Sequence, residues 1–170
     1  MASSNEDRVL SAPYRSDKDA KVYTSPPIPI EFVGPEHRFK RADLEIEGID
    51  HGGASYEGRI FFNNPSATRD TPTDLENGYA GSFYIFGHGG CLGDEGHCEV
   101  KPANQPYDYR TPHPLTPAHK RVTVTDALVE ACRKGTDVTV TVVPVVRTTN
   151  ELVDDEDVFH CESMHFLTYN

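Results

Sequence analysis

Beyond residue 40, apolar and polar positions alternate in short runs. In "ADLEIEGID" (42–50), Leu44 and Ile46 alternate with Glu45 and Glu47, the period-two pattern of a strand with one buried face. "EGRIFFNNP" (57–65) is a second apolar run, stopped by Asn63, Asn64 and Pro65. "YAGSFYIFGHGG" (79–90) is aromatic-rich and runs into glycines. "KRVTVT" (120–125) and "TDVTVTVVPVV" (136–146) are β-branched and alternating. "VFHCESMHFLTY" (158–169) reads as a final strand. One stretch carries helix signals: "TDALVEACRKG" (125–135), with Thr125 as N-cap, Asp126 in the first turn and Arg133, Lys134 and Gly135 at the end. Many short strands with one helix, expected over 126–134, predict an all-β domain, an antiparallel sandwich or barrel.

Two stretches break this pattern. Residues 1–40 are polar and then Pro-rich ("TSPPIPIEFVGPEH"), which predicts a flexible arm becoming an extended strap, pinned by Ile28, Ile30 and Phe32. The β domain is expected over 41–170. "KPANQPYDYRTPHPLTPAHK" (101–120) contains five prolines and predicts a long ordered loop.

Composition narrows the partners. In 170 residues, 27 acids outnumber 16 Lys and Arg, for a net charge of −11. Nucleic acid and anionic membrane are therefore poor partners, since both need a basic surface. No apolar run approaches the roughly 20 residues that span a bilayer. No apolar signal core opens the chain, so a cytoplasmic location is expected, with export alongside a partner as the other route. Four cysteines are too few for a disulfide scaffold at this length.

The densest candidate chemistry is "FGHGGCLGDEGHCEV" (86–100). His88 and His97 lie nine apart, Cys91 and Cys98 seven apart, among glycines that permit tight reversals. Neutral imidazole and thiolate suit copper, or zinc as the alternative. The spacing is not that of a structural zinc site. The bland reading is a turn-rich loop with a Cys91–Cys98 disulfide or two thiols. His51, in the "IDHGG" turn, is a further candidate ligand. His160 is another: on a regular strand it shares a face with Glu162, Met164 and Phe166, and could offer nitrogen beside the Met164 sulfur. His113 and His119 read as surface residues of the proline loop. No phosphate loop and no G-x-S-x-G is present.

The order of "RADLEIEGID", "GRIFFNNP", "YAGSFYIFGHGG", "HPLTPAHKRVTVTDAL" and "VTVTVVPV" resembles the C-terminal β-sandwich domain of tyrosinases, polyphenol oxidases and molluscan haemocyanins. The glycine- and cysteine-rich loop is similar to the bacterial branch, and Tyr107-Asp108-Tyr109 to a Tyr-x-Tyr element near the domain junction. The resemblance covers about 41–147. It implies an accessory domain that shields the active site of a type 3 copper oxidase or assists its copper loading, not a catalyst by itself. The family's copper pair takes six imidazoles from a helical bundle; this chain has eight histidines, and its one expected helix has none. A partner oxidase domain or subunit is thus implied, with an aromatic docking patch drawn from Tyr79, Phe83, Tyr84 and Phe86, and Tyr107 and Tyr109 reaching toward it. The alternative is a stand-alone mononuclear copper or zinc enzyme acting on a small molecule or natural product, using His88 and His97 with His51 or His160. A third reading is an interaction module without metal.

Overall fold

The computed structural model describes residues 8–13 (backbone only), 22–30, 39–53, 55–87, 116–146 and 158–170. Among these residues ten strands and one helix follow one another: β1 (Arg8–Pro13), β2 (Tyr23–Thr24), β3 (Ile28–Pro29), β4 (Arg41–Ile49), β5 (Tyr56–Phe62), β6 (Tyr79–Ile85), β7 (Ala118–Thr123), α1 (Thr125–Lys134), β8 (Asp137–Val138), β9 (Val140–Val146) and β10 (Ser163–Tyr169). They build two four-stranded sheets, ordered β1-β10-β4-β7 and β2-β9-β5-β6, with a small β3-β8 pair beside them. Every pairing is antiparallel. The predicted all-β sandwich is the observed architecture.

The alternation along the chain explains the layers. Leu44 and Ile46 of β4, Ile60 of β5, Val140 and Val142 of β9, and Met164 and Phe166 of β10 are fully buried between the sheets. Phe62 of β5 meets Phe166 of β10 edge-on at 5.5 Å, closing the gap between sheets. At the other end Phe159 packs against Tyr23 at 5.4 Å, Phe83 at 5.9 Å and Tyr56 at 6.4 Å.

The chain before residue 41 adds strands to the body: β1 pairs with β10, β2 with β9, and β3 with β8. Ile28 and Ile30 are buried, as their pinning role requires, while Phe32 lies outside the described residues. The proline loop lies outside them from 101 to 115, and β7 begins at Ala118.

Two local expectations are corrected. Thr125 does not cap the helix. Val124 holds the N-cap position without a side-chain bond, and the Thr125 hydroxyl instead accepts the Ala42 N–H at 3.0 Å, tying the helix start to β4. Gly135 ends the helix in extended, not left-handed, backbone. The final strand starts only at Ser163. Phe159 and Met164, which a regular strand would put on opposite faces, are both buried, so the alternation is broken between them.

Asn63 shows how β5 stops. It adopts φ 54°, a left-handed conformation that asparagine tolerates better than most residues. Its side-chain oxygen accepts the Thr139 N–H at 2.9 Å, fastening the strand end to the start of β9.

Candidate functional site

β4 lies between β10 and β7, so its polar residues are flanked from both sides. Glu45 stands opposite His165 on β10 and Arg121 on β7. On the next polar row Glu47 stands opposite Ser163. The register of β4 against β7 then shifts between Ile46 and Ile49, with Gly48 at φ 66°. This bulge gives β4 one residue more than β7 over the step and gathers His119 toward Glu45 and Glu47.

The result is a lattice of charge on the solvent side of the sheet. Glu45 is 7% exposed. One of its oxygens accepts His165 Nε2 at 2.8 Å. The other accepts Arg121 Nε at 2.7 Å and a second Arg121 nitrogen. Burial pushes the Glu45 carboxyl up, but the Arg121 and His165 hydrogen bonds outweigh it and hold the group below its usual range. His119 Nε2 lies 3.7 Å from the Arg121-bound oxygen. Glu47 accepts the Ser163 hydroxyl at 3.1 Å. Donor atoms of Glu45, Glu47 and His119 all lie within 4.8 Å of one another. Beside this group, Arg41 bonds the fully buried Asp43 at 2.8 Å and lies over the Tyr169 ring at 5.6 Å.

His88, Cys91, His97 and Cys98 lie outside the described residues, as do Tyr107, Tyr109 and His113. His51 is the turn residue expected; its Nε2 donates to the Thr116 carbonyl at 2.7 Å. His160 is half-buried with its ring 6.0 Å from that of Tyr23. The Asp50 N–H donates to the His160 carbonyl at 3.1 Å, so His51 and His160 occupy nearby backbone positions. Met164 is wholly inside the core.

A buried tyrosine and a partly buried cysteine, Tyr56 and Cys161, stand near this end of the sandwich. The Tyr56 hydroxyl is buried with no hydrogen-bond partner among the described residues, and burial, with Cys161 and Asp50 nearby, raises its pKa. Burial pushes the Cys161 thiol up to about 12 and that of Cys132 up to about 11, so neither is a ready nucleophile.

The expected aromatic patch divides. Phe83 faces inward and is buried, and Tyr79 packs on Phe61 at 5.6 Å. Tyr84 and Phe86 are 64% and 79% exposed. A cleft of about 230 Å³ lies between the Asn63–Gly78 connection and α1, floored by Phe62 and Ala131 and edged by Glu130 and Lys134. Its titratable lining groups are Glu76, Glu130 and Lys134, with no histidine, cysteine or serine among the lining residues.

Neither Glu45, Glu47 and His119 nor Arg121 and His165 stood out as a site in the sequence. The available signal was the outward phase of Glu45, Glu47 and His165 on their strands. What joined them was strand pairing. Of the described histidines, His119 and His165 lie on strands and His51 and His160 in connections, and α1 carries none. Among the described residues nothing matches a six-imidazole copper pair.

No family model matches the chain, and no curated protein matches it. Among solved structures it is similar to recombinantly expressed latent aurone synthase, a polyphenol oxidase, at 15% identity and TM-score 0.48, over 94% of this chain and 26% of that one. It is also similar to latent aurone synthase from natural source, at 16% identity and TM-score 0.42, over 96% of this chain and 24% of that one. The chain spans about a quarter of the length of these solved chains.

Proposed function

We propose that this chain is an accessory β domain that docks on a helical type 3 copper oxidase domain or subunit, shielding its site or assisting its copper loading. The observation that carries this reading is where the five family-like stretches fall. In order they supply β4, β5, β6, the β7–α1 corner and β9, strands of both sheets of one sandwich. The helix without histidine supports a role beside a catalyst. Tyr84 and Phe86 support a docking edge: among the described residues β6 ends its sheet, and Tyr84 and Phe86 are largely exposed. Exposed aromatics of this kind are the usual anchors of an interface, here one of about 1,600 Å² in total.

Co-expression with a type 3 copper oxidase from the same locus tests the reading. Affinity purification is expected to recover both chains and to raise the oxidase's copper content. The double variant Tyr84→Ser and Phe86→Ser should lower recovery roughly tenfold or more while leaving the circular dichroism of this chain unchanged. A chain that purifies alone and turns over a substrate overturns the proposal in favour of the mononuclear metalloenzyme.

A further inference from the structure

Glu47 and Glu45 are two residues apart on β4, point to the same side of the sheet, and share a single nearby guanidinium. Arg121 bonds Glu45. No lysine or arginine lies within ion-pair distance of Glu47 among the described residues, and its side chain accepts only the Ser163 hydroxyl there. One negative charge is therefore left over on this row. The His119 imidazole stands beside it, half-exposed and 3.7 Å from Glu45.

We propose that Glu45, Glu47 and His119 bind a divalent transition cation of the Zn²⁺ or Cu²⁺ type. Two carboxylate oxygens and one imidazole nitrogen are a borderline donor set, which suits these ions better than Mg²⁺ with its preference for oxygen and water. Three protein ligands leave a fourth position to solvent. Drawing the donors from their present spacing to about 2.0–2.2 Å from an ion requires side-chain rotation of Glu47 and His119, both exposed. Glu45 is already fixed. His165 bonds its far oxygen, which turns the near one toward His119 and holds the carboxylate charged. Arg121 competes for that near oxygen.

The neighbouring roles give the proposal signed consequences. His165 is a positioning residue, so His165→Gln should weaken the ion by about 10–100-fold. Arg121→Gln should strengthen it by removing the competitor. His119→Ala and Glu47→Gln, at exposed positions, should abolish it without unfolding the chain.

The measurement is calorimetric titration of the full, chelator-stripped chain with Zn²⁺ at neutral pH. It is made in a background carrying His88→Ala, Cys91→Ser, His97→Ala and Cys98→Ser, which removes the loop as a source of ligands. One Zn²⁺ per chain is expected, lost in the His119 and Glu47 variants. No Zn²⁺ in the background protein, or Zn²⁺ undiminished by both variants, overturns the site. If the fourfold background fails to fold, the native chain decides by count: His119→Ala lowers the bound Zn²⁺ by one, and an unchanged number overturns the proposal.

Discussion

β4 and β5 each stand third in a four-stranded antiparallel sheet, and each is buried on both faces over most of its length. Their inner faces are alike: Leu44 and Ile46 on one, Ile60 and Phe62 on the other. Their outer faces differ. β5 pairs Glu57 with Arg59 on one part of its outer face and on the next turns Phe61 outward into a second apolar cluster with Val143 and Ala67, flanked by Val22, Tyr79 and Val145. β4 turns out Asp43 and Glu45, covered by Arg41, Arg121 and His165. The apolar cover stabilises in proportion to the area it removes from water and asks for no particular geometry. The charged cover must offset desolvation with directed bonds, so its net stabilisation is small, and a half-exposed partner such as Arg121 returns to water when its pair is lost.

The largest expected effect falls on the apolar cover. Phe61→Ala should destabilise by about 3–5 kcal/mol, seen as a lower urea midpoint with an unchanged slope. A loss below about 1 kcal/mol would mean that the second cluster is loosely packed and that the two outer faces are less different than their burial implies.

Glu45→Gln should cost less, about 1–2 kcal/mol, because Arg121 is half-exposed and regains water when released. A cost equal to that of Phe61→Ala would show that the charged cover, not the apolar one, holds the fold together. The same variant sharpens the comparison through pH. The Glu45 carboxyl is held below its ordinary value in the folded chain. Its stabilisation is therefore fully present above the unfolded carboxylate range near 4.3 and is lost as pH falls through the lower folded value. Stability measured from pH 6 downward should fall more gently in Glu45→Gln than in the native chain, and Phe61→Ala should leave the slope as it is. Parallel curves for Glu45→Gln and the native chain would remove Glu45 from the acid response.

What the sequence determined by itself was local. Alternation at Leu44 and Ile46, the β-branched run at 136–146 and the capped pattern at 125–135 each need only neighbouring residues, and each formed close to its expected place. The buried Ile28 and Ile30 were legible for the same reason: a hydrophobic run between prolines has to find a surface. The final strand was only partly legible, since the irregularity ahead of Ser163 carries no local signal. Thr125 was misread because its hydroxyl is used by Ala42, 83 residues away. The loop at 88–98, richest in candidate ligands, lies outside the described residues, so its chemistry rests on the sequence alone. The Glu45 lattice belongs to tertiary structure entirely. Its bonds span 76 residues to Arg121 and 120 to His165, and the bulge in β4 sets the row of His119. Period-two patterning states which side of a strand a residue occupies, but strand order and register decide what it meets there, because hydrogen-bonded pairing between distant segments leaves no periodic trace in either one.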